Sequence, residues 1–362
     1  MRNRTLLHWA LGVLLTAAVP AAGAQSDISK LLDLLTQKGV ISQEDAVVLK
    51  KEQPPTTGSW SEKIQISGYA QTWYRQDRNA MDTFNIRRAR FDLKAKPSEV
   101  LDYRLQVDFA GSPKLLDATV GYKFNPHLKI TAGQFKIPFS QENLTPSSNM
   151  ETVNRAQAVE ALVARSTDVI GNQNGRDIGV QAGGSFLRRA QSRWVFDYAV
   201  GVFNGSGINT SDTNEQKDTV GRLVAHLSDD CTIGGSFYTG RYTLKDARKT
   251  TGGRERLGFE LAYVRDPFSV KSEFISGRDG TSHKSGWYAQ TAYFVFPQKL
   301  QGVFKFDTFN PDNSFGRTNV YTFGGNWYFN QWAYLQLNYE LKDERFREID
   351  DNSLIAQLTA KF

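Results

Sequence analysis

From Lys63 onward apolar and polar residues alternate with a period of two, and the alternation recurs in segment after segment to the last residue. Leu335, Leu337, Tyr339 and Leu341 oppose Tyr334, Gln336, Asn338, Glu340 and Lys342. Tyr103, Leu105, Val107 and Phe109 oppose Asp102, Arg104, Gln106 and Asp108, and Leu257, Phe259, Leu261 and Tyr263 oppose Arg256, Gly258 and Glu260. The chain ends on Leu354, Ala356, Leu358, Ala360 and Phe362 against Ile355, Gln357, Thr359 and Lys361. Successive side chains of a strand point to opposite faces. Each segment therefore reads as a strand with one apolar and one polar face. About sixteen are expected: 63–75, 83–96, 100–110, 114–124, 127–136, 174–187, 193–203, 217–228, 230–241, 254–265, 267–277, 286–296, 298–308, 317–329, 331–342 and 352–362.

The connections sort into two kinds. Pro97-Ser98-Glu99, Asn125-Pro126, Arg188 to Ser192, Asp229, Asp266, Pro297 and Asn330 are short turns. Between them fall longer polar segments: 76–82, 137–173, 204–216, 242–253, 278–285, 309–316 and 343–351, with 111–113 a short member of that set. A barrel with short turns at one end and long loops at the other produces this alternation. A soluble sandwich would also alternate in hydropathy. It would have no need of Phe124, Phe268, Phe296, Phe329 and Trp332 beside the short turns, where they fit an interfacial girdle. The expected fold is all-β: a transmembrane antiparallel barrel over 63–362, with the long third loop, 137–173, folded into the lumen. An even strand number puts both termini at the short-turn, periplasmic end. The last strand is expected to close against the first near Ile64 and Ile66.

The segment before the barrel has another period. Ile28, Leu31, Leu32 and Leu35 recur at helical spacing, Lys38-Gly39 is a helix stop, and Ser42 to Asp45 opens a second short helix. Residues 25–52 thus read as a helical hairpin, either lying against the periplasmic end of the barrel or self-associating. Gln53 to Glu62 is a linker. Residues 1–24 form a secretory signal: Arg2 and Arg4, an apolar stretch from Leu6 to Val19, and the small-residue site Ala22-Gly23-Ala24.

Composition narrows the class. Among 362 residues 23% are charged, so a helical membrane protein is excluded: no apolar run of about 20 residues follows residue 24. Aromatics nevertheless reach 12%, as lipid-facing strands require. Lys and Arg total 44 against 38 Asp and Glu; without Arg2 and Arg4 the balance is 42 against 38, a net charge of +4. That is too mildly basic for a nucleic-acid partner. Cys231 is the single cysteine, which rules out an intrachain disulfide and a cysteine metal site. Past the signal the histidines are His127, His226 and His283, at a short turn, inside a strand and in a loop. No two are placed to cooperate in catalysis, so neither an enzyme nor a cofactor is expected.

By parity the basic residues facing the lumen outnumber the acids by about three, a mixed interior with a modest anion bias. Arg88, Arg90, Arg104, Lys129 and Arg222 are the candidate anion path. The densest feature is Ile86-Arg87-Arg88-Ala89-Arg90-Phe91, where Arg87 breaks the parity and points to a strand end or bulge. Guanidinium groups suit oxyanions through planar paired donors. The alternative is that these arginines pair with Asp92, Asp102 and Asp108 and brace the wall. The third loop carries a helix-like run from Glu151 to Ala164. Its charges lean acidic, with Glu142, Glu151, Glu160 and Asp168 against Arg155 and Arg165.

A strand that ends on Phe362 resembles the C-terminal signature of bacterial outer-membrane barrels. Gly68-Tyr69-Ala70-Gln71, Arg87-Arg88-Ala89-Arg90 and Gly133-Gln134-Phe135-Lys136-Ile137-Pro138-Phe139-Ser140, in that order, together with the Leu31-to-Glu44 segment, resemble the phosphate-selective porin O and P family. The resemblance implies a trimeric outer-membrane porin in contact with lipid, with an inward third loop and basic residues lining a path for small anions such as phosphate. Arg88 and Arg90 fall in the matching strand. The third loop departs from the selective members in lacking a lysine cluster. A non-conducting structural or adhesive barrel is the rival reading.

Overall fold

The computed structural model describes residues 36–37, 63–78, 81–187, 195–244, 250–312, 316–345 and 351–362. Residues 1–24, the linker and all of the helical segment except Thr36 and Gln37, which are helical, lie outside the described residues.

Sixteen antiparallel strands, each bonded to its sequence neighbours, close into a barrel when β1 meets β16. They are β1 (Ile64–Asp77), β2 (Thr83–Ala95), β3 (Leu101–Asp108), β4 (Lys114–Asn125), β5 (Leu128–Lys136), β6 (Arg176–Phe186), β7 (Val195–Phe203) and β8 (Asp218–His226). The second half is β9 (Cys231–Thr243), β10 (Thr251–Arg265), β11 (Phe268–Asp279), β12 (Ser282–Phe296), β13 (Leu300–Asn310), β14 (Thr318–Tyr328), β15 (Ala333–Glu344) and β16 (Ser353–Lys361). Closure leaves no open sheet edge in the hydrocarbon, where unpaired backbone groups are costly.

The burial pattern is that of a soluble protein turned inside out. On β15, Leu337 is 49% exposed while Gln336 and Asn338 are fully buried. Phe124, Phe268, Phe296, Phe329 and Trp332 all point outward beside the short turns. Apolar side chains facing lipid and polar ones facing a lumen define a membrane barrel.

Three details of the strands differ from expectation. The segment 278–285 is not a loop: β11 and β12 run on to a tight hairpin at Gly280 and Thr281, with Gly280 at φ 61°. Likewise β10 begins at Thr251. Both extensions are polar on both faces, so they carry no alternation, yet backbone pairing continues. The seam also lies further along β1. Tyr69 to Asp77 pair with Lys361 to Ser353, and Ile64 and Ile66 lie beyond the end of β16. Strand tilt shifts the register of first against last strand in a closed barrel. Phe362 exchanges two backbone hydrogen bonds of 3.1 Å with Gly68, and its ring lies where a Gly68 side chain would stand.

The apolar core sits inside the barrel, beneath the segment joining β5 to β6. That segment contains α1 (Gln141–Leu144), a 3-10 turn (Ser147–Asn149) and α2 (Gln157–Leu162). Ala158, Val159, Ala161 and Leu162 of α2 pack with Ile137 and Phe139 against Phe203, Val220, Tyr238, Ile275, Tyr288 and Phe309 of the inner wall. Burying a side chain such as Leu162 is worth about 1.5–3 kcal/mol. The expected helix from Glu151 to Ala164 is therefore confined to its second half. Upstream, the wall takes the backbone groups that a helix would use: Asn338 accepts from Val153 N, and Asn326 and Gln336 donate to Glu151 O.

Candidate functional site

The loop is tied to the wall formed by β12–β16 and β1 largely by neutral groups. Gln71 donates to Ser147 O, Tyr334 to Ser148 O and Gln336 to Met150 O. Amides anchor the loop without consuming charge, and this determines what remains free in the channel.

The acids of the loop turn away from the opening. Glu151 pairs with Lys271 at 2.9 Å. Asp168 pairs with Arg254 at 2.9 Å. Glu142 accepts from the backbone of Ala156. Only Glu160 remains at the cavity, bonded to Ser166. Burial raises its pKa, but Arg165 and the Ser166 hydroxyl outweigh burial and hold it below the ordinary carboxylate range.

β2 supplies further lining of the same cavity. Gln71 faces Arg88, but Thr72 faces Ile86, so Arg87 is the extra residue of a β-bulge. A bulge re-aims side chains by breaking the alternation. Here it brings two consecutive arginines to the lumen. Arg87 donates to Val153 O at 2.8 Å, Gln357 Oε1 at 3.0 Å and Asn154 Oδ1 at 2.9 Å, and stacks 4.5 Å from the centre of the Trp73 ring. Arg88 donates to Gln71 Oε1 at 2.9 Å. On the loop Arg155 donates to Glu142 O and Thr145 O, and Arg165 to Asn143 Oδ1 and Asn174 O. All four line one cavity of about 940 Å³. Among the described residues none of the four has a carboxylate within 4.0 Å. Burial, and next the charge of Arg155, push Arg165 well below the usual guanidinium range, with the Glu160 charge opposing them.

The sequence-derived path divides. Arg88 and Arg90 line the cavity. Arg90 is also held by Asp108 at 2.8 Å and the Tyr69 hydroxyl at 2.9 Å. Arg104 is bidentate to Asp92 and also reaches Asp117; Lys129 pairs with Asp102, and Arg222 with Glu260. These three lie apart from the arginine cavity, in cross-strand ion pairs. Arg87, Arg155 and Arg165 join the site although the sequence reading did not place them on the path. For Arg87 the broken parity was a usable signal. For the loop arginines the loop's acidic balance hid them, because it counted acids that face the wall.

His226 and Ser185 both donate to Asp197, the imidazole at 2.7 Å. The carboxylate sits between hydroxyl and imidazole, so the ring is not bonded to the serine as a general base would be.

A closed barrel of sixteen strands, apolar outside, polar inside and narrowed by an inward loop, is an outer-membrane porin and a multi-pass β-barrel. The model of the family described as phosphate-selective porin O and P matches residues 64–360, and the chain belongs to that family. Among solved structures, the anion-selective porin from Comamonas acidovorans is similar at TM-score 0.64 and 11% identity, covering 83% of this chain and 99% of that one. The outer membrane channel DcaP of Acinetobacter baumannii gives 0.59 and 11%, covering 83% and 97%. OmpT of Vibrio cholerae, in its trimer form, gives 0.59 and 12%, covering 83% and 99%. At these identities the likeness is one of fold. No curated protein matches the chain.

Proposed function

We propose that this porin favours small anions, phosphate among them, over cations. The observation that carries the reading is the set Arg87, Arg88, Arg155 and Arg165, each held by neutral acceptors and without a carboxylate partner among the described residues. Fixed guanidinium charge in a narrow low-dielectric passage raises the local concentration of anions and offers oxyanions paired donors. The test is the zero-current potential of single channels in a planar bilayer under a KCl gradient. A potential of the sign set by chloride supports the reading, and one at zero or of the opposite sign overturns it. Phosphate added to the chamber should then lower chloride current by competing for the same arginines.

The same proposal takes the chain as a homotrimer. The strands β3, β5, β7 and β8 have only 8 or 9 residues, against 15 for β10 and β12. At about 3.3 Å per residue and about 45° tilt, such strands span about 20 Å, short of the roughly 25 Å apolar band. A neighbouring copy covers such a wall better than lipid does. Cross-linking that yields only monomers would refute it. In this reading residues 1–24 are a secretion signal and 25–52 a periplasmic segment.

A further inference from the structure

Asn154, on the inward loop, stands between two opposite charges that do not touch. Its Oδ1 accepts from Arg87 at 2.9 Å, and its Nδ2 donates to Glu340 Oε1 at 2.8 Å. All three line the arginine cavity. Glu340 otherwise accepts from the Ser353 hydroxyl, and among the described residues it has no cation within 4.0 Å. Asp307, in the same cavity, repeats the pattern: it accepts from the backbone and side-chain amides of Gln157 and has no cation within 4.0 Å among the described residues. Beside the paired Arg90–Asp108 and Lys342–Asp351, the cavity thus holds guanidinium groups without carboxylates and carboxylates without cations, and the Asn154 amide joins one of each.

The Asn154 amide offers its acceptor end to the guanidinium and its donor end to the carboxylate. A small zwitterion presents the same polarity with full charges. A simple anion gains from Arg87 but is repelled by Glu340, and a simple cation meets the reverse. We propose that the cavity selects small zwitterions that carry a carboxylate and an ammonium a few bonds apart, the α-amino acid class. The anionic end lies toward Arg87 and Arg88 and the ammonium toward Glu340. The inference rests on the channel reading above and adds a second solute class to it.

Liposome swelling with the refolded porin tests it at pH 7, using solutes of similar size: glycine, neutral glycerol, anionic glycolate and cationic ethanolamine. Glycine should enter faster than glycerol, and equal or slower entry overturns the proposal. Glu340→Gln should slow glycine by about threefold, the scale of a partly screened ion pair, while glycolate entry holds or rises. Unchanged glycine entry in that variant also overturns it. Asn154→Ala keeps both charges and removes the amide between them. It should speed glycine relative to glycerol, and a ratio equal to that of the unmodified protein counts against the idea even if the Glu340 variant fails to fold. Failure of the anion reading would look different, because glycolate would lose its lead over ethanolamine whatever glycine does.

Discussion

Arg88 on β2 and Arg104 on β3 face the same lumen from adjacent strands, and they do different things. Arg104 is enclosed by Asp92 and Asp117. Arg88 is held by the Gln71 amide and opens on the cavity. The contrast extends to the loop. Arg155 is fixed by backbone carbonyls, whereas Arg254 on β10 is locked between Asp168 and the Tyr238 hydroxyl, 4.6 Å above that ring. In one region carboxylates neutralise the arginines and the result is a brace. In the other, neutral acceptors hold the arginines in place and leave their charge to the passage. The partner, not the residue type, decides which role an arginine takes.

The largest effect should come from breaking a brace. Arg254→Met takes from buried Asp168 the nearer of its two cations, at 2.9 Å, and leaves only Arg256 at 3.9 Å; removing one partner of a buried pair costs up to about 3–5 kcal/mol. Urea unfolding of the refolded barrel should show that loss, with the sign of the zero-current potential unchanged where the variant inserts. A stable variant with altered selectivity would erase the distinction between the two regions. The converse change, Arg87→Ala with Arg88→Ala, should take much of the anion preference and leave no buried charge unpaired, since what is lost is hydrogen bonds to neutral groups and the stacking of Arg87 on Trp73. An unmoved zero-current potential would return both residues to the wall. Salt separates the regions a third way. Raising KCl from about 0.1 M to about 1 M shortens the Debye length from about 10 Å to about 3 Å. Anion preference should fall with it if exposed guanidinium charge is its source, and a preference independent of salt would argue for a steric filter instead.

Much of the barrel was legible in the sequence because a period of two is imposed by geometry at each residue. Leu335 to Leu341 and Leu354 to Phe362 fell on the lipid face as parity required. Parity ceases to inform where both faces are polar, and Ser282 to Ser285 were missed as strand for that reason. The site was legible only in part. Arg88 and Arg90 could be placed because they lie in a regular strand. Arg155 and Arg165 could not, because their role depends on where Glu142, Glu151 and Asp168 point. That depends in turn on the Gln71, Gln336 and Asn326 amides, 76 to 186 residues away in the chain from the loop groups they hold. Charge counting along a segment treats every acid as a neighbour of every base; packing the loop against a wall separates them.

The smallest expected effect is the sharpest control. Arg104→Gln removes a lumenal positive charge one strand away from Arg88, so a model based on lumenal charge alone predicts a visible loss of anion preference. The pairing argument predicts almost none, because Asp92 and Asp117 already cancel that charge in the unmodified protein. The side chain is 37% exposed, so the stability cost should be about 1 kcal/mol or less. The variant frees Asp92, while Asp117 keeps Arg176 at 2.8 Å, and any change in the zero-current potential should therefore be slight and toward cations. The measurement is the same KCl gradient used for the Arg87 and Arg88 variant. A shift as large as in that variant would show that lumenal charge acts as a sum, and the division between bracing and conducting arginines would fail.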